Sequence, residues 1–299
     1  MNYKTNKYSK AFTLLELLVA VSVISMMSSV ILAAVQNAKD QGRISGGIRF
    51  ATNAYRGFGD KMVAYFDFND SGPLIYKDAT GAKPLATAAS TPTGLPATRQ
   101  LTSYASSAGS SMNLLRDTPS GTYQYIRFNL TPPTSSYLPI SQAAAISVWI
   151  RASSDSINDN LLLADSGQNT MMYIPSSGSA SNANQLVVSD RSINLVSGFA
   201  ISDGNWHNIT WSSSRTGPEK LYIDGNLVDE EPITGARSVR NIWYFGWNGR
   251  APGTTGALAF QGDVDDFMLF QQDLAESEVK QIYAMGAPSH PVAKVNSSK

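Results

Sequence analysis

Residues 10–35 read KAFTLLELLVAVSVISMMSSVILAAV, an apolar run broken by a single charge, Glu16. About 24 residues from Phe12 make a helix of roughly 36 Å at 1.5 Å per residue, enough to cross a hydrocarbon core of about 30 Å. Lys4, Lys7 and Lys10 precede the run with no acidic residue among them. The positive-inside bias then places the N-terminus in the cytoplasm and everything after Val35 outside. A secretory signal peptide fits poorly, because its apolar core spans about 7–15 residues and ends at an A-x-A-like site. This run is longer and leads into Gln36-Asn37-Ala38. A carboxylate inside such a span is costly unless something pairs with it, which makes Glu16 a functional suspect.

Ala11-Phe12-Thr13-Leu14-Leu15-Glu16, behind its short basic leader, resembles the bacterial type IV prepilin signal. The resemblance implies that prepilin peptidase cuts between Ala11 and Phe12 and that the new amine on Phe12 is methylated. It also implies that Phe12 and Glu16 act in filament assembly, Glu16 being the acidic fifth residue of the mature chain. The family usually has Gly before the cut, and Ala11 is the departure here; a small side chain meets the same steric demand. An ordinary membrane anchor would account for the length and the lysines but not for Phe-Thr-Leu-Leu-Glu at the cytoplasmic edge.

The 299 residues leave room after this helix for one large all-β unit or for two domains. Basic and acidic residues balance at 23 each, so no polybasic surface points to nucleic acid, and none is expected as a partner. The chain has no cysteine, which excludes disulfides, thiolate zinc sites and a cysteine nucleophile. Stability must come from core size, which 42% hydrophobic residues allow. His207 and His290, the two histidines, are too sparse for a histidine metal cluster or a triad and read as surface or packing residues.

Ile44, Ile48, Ala51, Tyr55, Phe58 and Met62 recur at spacings of four and three, one face of an amphipathic continuation of the helix. From Met62 the period becomes two: Ala64, Phe66 and Phe68 alternate with Val63, Tyr65 and Asp67, so a strand begins. Residues 79–111 are rich in Ala, Ser, Thr, Pro and Gly and predict exposed irregular loop. Beyond them, strands are expected around Ile146–Arg151, Ile209–Trp211, Ile242–Trp247 and Asp263–Phe270. Asp224-Gly225-Asn226 marks a hairpin between Leu221-Tyr-Ile and Leu227-Val-Asp. Val279, Ile282 and Tyr283 share a face of a short helix over Glu276–Met285, capped by Gly286. The expected organisation is a leader over 1–11, the spanning and amphipathic helix over 12–62, the head over 63–286 and a tail over 287–299.

Val63-Ala-Tyr-Phe-Asp-Phe, Ile146-Ser-Val-Trp-Ile, Asp203-Gly-Asn-Trp-His, Leu221-Tyr-Ile-Asp-Gly and Gly262-Asp-Val-Asp-Asp-Phe-Met-Leu-Phe occur in order and resemble the laminin-G-like, concanavalin-A-like jelly roll. The expected fold is therefore mainly β: an antiparallel jelly-roll β-sandwich head on a long N-terminal α-helix. The resemblance implies a calcium site built from Asp78, in the Asp-x-x-Gly turn, and Asp266; a turn cap and a strand hydrogen bond explain the same two residues. No cofactor is required. The fold also hosts glycoside hydrolases, whose paired carboxylates Asp263 and Asp265 could mimic, but no Glu-x-Asp-x-x-Glu pattern appears and no enzyme is expected. Among Trp243, Tyr244, Phe245 and Trp247, alternation turns half inward and leaves Trp247, with Arg250, for a carbohydrate or protein ligand. Asn129-Leu-Thr and Asn208-Ile-Thr match the eukaryotic glycosylation pattern, which means little in a bacterial export context.

The expected function is a type IV pilus-like filament subunit displaying an adhesive or recognition head. A pseudopilin of type II secretion with a mainly structural head is the alternative, and a glycoside hydrolase comes last. The expected partners are identical or related pilins in a helical filament, prepilin peptidase and the inner-membrane assembly machinery. The chain would reside in the inner membrane before entering an extracellular pilus or periplasmic pseudopilus.

Overall fold

The computed structural model describes residues 13–68, 75–77, 85–91, 98–101, 110–114, 116–117, 122–129, 144–153, 160–165, 170–176, 182–190, 193–214, 217–232, 242–247, 259–288 and 290. Two units divide the chain, Met1–Gly42 and Arg43–Lys299. Helix α1 (Leu14–Phe58) begins in the first unit and ends in the second. Among the described residues, seventeen strands and a short helix follow. They are β1 (Met62–Phe66), β2 (Ile75–Lys77), β3 (Leu85–Thr91), β4 (Thr98–Leu101), β5 (Ser110–Leu114), β6 (Arg116–Asp117), β7 (Thr122–Asn129), β8 (Ala144–Ala152), β9 (Asn160–Asp165), β10 (Thr170–Ile174), β11 (Gln185–Asp190), β12 (Ile193–Ala200), β13 (His207–Ser213), β14 (Glu219–Ile223), β15 (Asn226–Glu231), β16 (Ile242–Phe245), β17 (Gly262–Phe270) and α2 (Glu276–Gly286).

The strands form two antiparallel sheets, as a jelly roll requires. One runs β15-β14-β13-β8-β17-β5-β4 with β1 also on β17; the other runs β12-β11-β10-β9-β16-β7-β3-β2 with β6 on β7. Alternation along the strands fills the space between them. Ile146, Val148 and Ile150 of β8, Ile209 and Trp211 of β13, and Val264 and Leu269 of β17 meet Ile126, Leu163, Met172, Leu186 and Phe245 of the opposite sheet. The sheets also adjoin along their edges β12 and β15, where Asp229 Oδ2 accepts the N–H of Val196 at 2.8 Å.

The first sheet is covered on its other face too. Tyr65, Ala145, Tyr222, Met268 and Phe270 pack there against Phe50, Ala54 and Phe58 of α1 and against Leu274, Val279 and Ile282. Phe50 meets Tyr65, and Phe58 meets Phe270, edge to face with centroids 6.1 Å apart. Each buried Phe contributes about 1.5–3 kcal/mol, so this layer holds the end of α1 firmly. The cover also buries Ser147, Asn208, Thr210 and Ser212, which satisfy one another and the chain above. Thr210 Oγ1 donates to Ser147 Oγ at 3.0 Å, and the N–H of Leu274 donates to Ser212 Oγ at 2.9 Å. Asn208 is thus closed to glycosylation by burial.

Three expectations need adjusting, and a fourth is met where its side chains are described. Phe58 and Met62 of the expected helical stripe are buried together with Phe50 and Ala54, four apart and in line with Phe58; the side chains of Ile44, Ile48, Ala51 and Tyr55 lie outside those described. Val63 joins Ala64 and Phe66 in the inter-sheet core because a bulge between Met62 and Ala64 resets the alternation. The Ala/Ser/Thr-rich tract contains strands: β3 pairs with β7 along all seven of its residues, and β4 pairs with β5. Ladder hydrogen bonds come from the backbone, so a neighbouring strand can recruit a segment whose side chains carry little β signal. Finally, Gly286 ends α2 in helical conformation; the cap is Ala287, and the glycine serves close packing.

Candidate functional site

At the start of α1, Thr13 and Glu16 form a reciprocal cap. The backbone N–H and hydroxyl of Thr13 donate to Glu16 Oε2 at 2.9 and 3.0 Å, while the N–H of Glu16 lies 3.2 Å from Thr13 Oγ1. This is the T-x-x-E capping box, which satisfies amide groups that a helix start leaves open and places a negative charge at the positive end of the helix dipole. The sequence shows the pattern openly, although the reading of Glu16 as a residue awaiting a partner passed over it. From Leu14 to Val35 the large apolar side chains are exposed, Leu14 at 81% and Met26 at 74%. Ser22, Ser25, Ser28 and Ser29 each return their hydroxyl to a carbonyl three or four residues back, so none presents an open donor to an apolar surrounding. The expected cleavage residues Ala11 and Phe12 lie outside the described residues.

On the head, Asp78 and Arg250 also lie outside the described residues. Trp247 is half-buried and bridges to Ala259 just past β16, where Gly246 turns the chain at φ 85°. Its ring lies 4.6 Å from Tyr125 and 5.4 Å from Tyr244, and those two tyrosines are 6.0 Å apart. Tyr125 on β7 and Tyr244 on β16 alternate with the core residues Ile126 and Phe245, so all three rings group on the sheet face turned away from the core. Tyr125 is the member that sequence reasoning missed; its signal was the alternation Gln124-Tyr125-Ile126, buried on either side.

Asp266 sits at a bulge of β17, between the stretch paired with β5 and the stretch paired with β1. Its backbone is left-handed, at φ 45°, and its carboxylate is fully buried beside Asp265 and His290. Tyr65 donates its hydroxyl to Asp266 Oδ1 at 2.6 Å. Burial, reinforced by the charge of Asp265, pushes the Asp266 carboxyl well above the ordinary range, and burial pushes His290 down. Asp263 points elsewhere: Arg151 Nε donates to its Oδ2 at 2.8 Å and Asn113 Nδ2 to its Oδ1 at 2.8 Å.

The model of the concanavalin A-like lectin/glucanases superfamily matches residues 120–280, more than half of the chain. The chain belongs to that superfamily. A second model, the prokaryotic N-terminal methylation motif, matches residues 6–32, the stretch holding the Thr13–Glu16 cap and the start of the apolar helix. The chain is thus a type IV pilin-like or pseudopilin-like subunit with a concanavalin A-like head. No curated protein matches it. Among solved structures, domain 4 of the extracellular GH43 arabinanase AbnA from Geobacillus stearothermophilus, in complex with arabinotriose, is 18% identical with a TM-score of 0.55; the match covers 75% of this chain and 98% of that one. A botulinum neurotoxin type C structure, from work on its interaction with two ganglioside molecules, is 15% identical with a TM-score of 0.57, covering 77% of this chain and 52% of that one. The botulinum neurotoxin DC binding domain, in complex with rat synaptotagmin II, is 15% identical with a TM-score of 0.56 and coverage of 76% and 52%. The chain therefore spans about half the length of those two toxin structures.

Within the concanavalin A-like head, the Asp203-Gly-Asn-Trp-His stretch forms a clamp. His207 Nδ1 lies 2.8 Å from Asp224 Oδ2 and Nε2 lies 3.2 Å from Asp203 Oδ1, which ties the turn before β13 to the β14–β15 turn. In that second turn Asp224 and Gly225 both have positive φ, 52° and 76°, as a two-residue hairpin needs. Burial opposes a charged imidazole, but the two carboxylates outweigh it and hold His207 above its ordinary value. A raised folded pKa contributes stability that is complete below the unfolded value of about 6.5 and is lost as pH rises through the folded value. Thermal melts from mildly acidic to alkaline pH should show this loss, and His207→Gln should flatten it. An unchanged slope in the variant would remove the clamp from the account.

Proposed function

We propose that the chain is a subunit of a type IV pilus-like filament whose head recognises carbohydrate. Prepilin peptidase cuts between Ala11 and Phe12, the N-terminus faces the cytoplasm while the subunit waits in the inner membrane, and assembly then carries the head to the cell surface. The observation that carries this reading is the uncovered apolar helix with its one carboxylate at the first turn. Among the described residues both bonds to Glu16 fall on Oε2, which leaves Oε1 for an outside donor such as the methylated Phe12 amine of a neighbouring subunit. That pairing offsets the cost of holding either charge away from water and favours one stagger between helices.

For the head, the Tyr125–Tyr244–Trp247 group supports sugar binding, because aromatic faces stack on the apolar faces of pyranose rings. The arabinotriose complex of one structural neighbour and the gangliosides of another point the same way. We read the head as a binder rather than a hydrolase: Asp263 is held by Arg151 and Asn113, and Asp265 is fully buried, so neither is placed to flank a glycosidic bond. Release of reducing ends from any of a panel of polysaccharides would overturn this.

Electron microscopy with antibody to the head tests the filament reading, which expects labelled surface filaments. A short periplasmic assembly with secretion lost on deletion would make the chain a type II secretion pseudopilin instead. Glycan-array binding by the full chain tests the head. Tyr125→Ala and Trp247→Ala should each weaken it by about tenfold or more, the effect of removing a central aromatic anchor. Undiminished binding in both variants would place the ligand elsewhere.

A further inference from the structure

We propose that His290 fills, from within the chain, the place beside Asp266 that the resemblance to calcium-binding jelly rolls gives to a metal ion shared with Asp78, so that the folded head runs through residue 290. Two adjacent carboxylates buried side by side are untenable unless something neutralises or hydrogen-bonds them. Asp67 adds negative charge from the end of β1. Part of the answer is local: the N–H of Asp266 donates to Asp265 Oδ1 at 2.8 Å, and Tyr65 takes Asp266 Oδ1. A further contact comes from beyond α2. His290 Nε2 lies 3.4 Å from Asp265 Oδ2 and 3.9 Å from Asp266 Oδ2.

Hydrogen counting fixes how the ring works. His290 Nδ1 lies 3.1 Å from the carbonyl of Gly286, which can only accept, so Nδ1 carries a hydrogen. Nε2 then meets two carboxylate oxygens, and one proton must lie between the ring and the pair whichever side it is assigned to. The imidazole is clamped for this task. It lies parallel to the Trp149 indole at 4.3 Å and 7°, and it meets the edge of Trp206 at 4.9 Å. The N–H of His290 donates to the Gly286 carbonyl at 3.2 Å, so the helical turn at the end of α2 delivers the residue.

Among the described residues, the donors gathered here do not suit calcium. It takes six to eight oxygen ligands, whereas the ligand group described here is two carboxylates and an imidazole nitrogen, with a phenol hydrogen already on Asp266. The inference is independent of the filament reading and of any head ligand.

The test is thermal unfolding of the full chain in detergent, with excess calcium or with chelator. The parent should melt at one temperature in both, and a chain ending at His290 should melt with it. His290→Gln and a chain ending at Ser289 should each melt lower, by about 6–12 °C, the shift expected for removing one partner of a buried polar group in a domain of this size. Adding Asp265→Asn to His290→Gln should recover part of that loss, because the ring is then no longer needed. A rise in the parent's melting temperature with calcium would overturn the proposal even if His290→Gln failed to fold. So would an unchanged melt in His290→Gln, or strictly additive losses in the double variant.

Discussion

Glu16→Ala will leave the peptidase cut intact and reduce assembled filament by tenfold or more. With the cut proposed between Ala11 and Phe12, the carboxylate falls on the far side of that bond from the basic leader, in a helix turn that Thr13 can still cap from its own hydroxyl. Cleavage therefore has no need of it. Assembly does, on two counts. An ionised carboxylate within an apolar span is costly to hold in a bilayer, so removing it makes the membrane a more comfortable home for the subunit and extraction harder. In the proposed pairing it also removes the acceptor for the neighbour's amine, and about 1.4 kcal/mol lost at each subunit contact is already tenfold in an association constant. Mobility of the cut product on gels and the quantity of sheared filament on blots separate the two effects. Filaments at normal yield from Glu16→Ala would sink the pairing argument, and Glu16→Asp should be intermediate.

The second large effect is expected at Gly286. Ordinarily Gly→Ala within a helix gains about 1 kcal/mol. Here a Cβ would stand 2.4 Å from Trp149 Nε1 and 2.8–2.9 Å from two ring carbons. Trp149 cannot yield: it is fully buried, with Tyr283 stacked at 5.7 Å and His290 at 4.3 Å. Gly286→Ala should therefore cost about 3 kcal/mol, or about 6–12 °C in melting temperature. The sign of the change is the discriminating result, since a stabilised variant would mean that α2 does not seat against Trp149 as described.

Much of the architecture could be read before any coordinates. The Asp224-Gly225 turn, the alternation in β8 and the amphipathic face of α2 are local patterns, and local patterns are what a sequence displays. What escaped reading was set by distant neighbours. Ser147, Asn208, Thr210 and Ser212 look like the solvent face of two strands, yet they are buried because Leu274 and the two helices lie over them. Leu85–Thr91 became a strand through its pairing with β7, not through its own composition. Of the site residues, Trp247 could be found by alternation, but Tyr125 joins it only through adjacency of β7 and β16. His290 stands 24 residues beyond Asp266 in a stretch with the composition of a tail, so nothing local announced its contact with the carboxylate pair.

The bridge between β12 and β15 has a consequence for life in an ordered array. Polymerised subunits hold their heads at very high local concentration, the circumstance in which open strand edges zip onto one another. At this rim Asp229 occupies an edge amide of β12, and Glu230 and Glu231 follow it along β15. Identical acidic borders repel, so in the filament proposed above crowded heads would stand shoulder to shoulder without fusing their sheets.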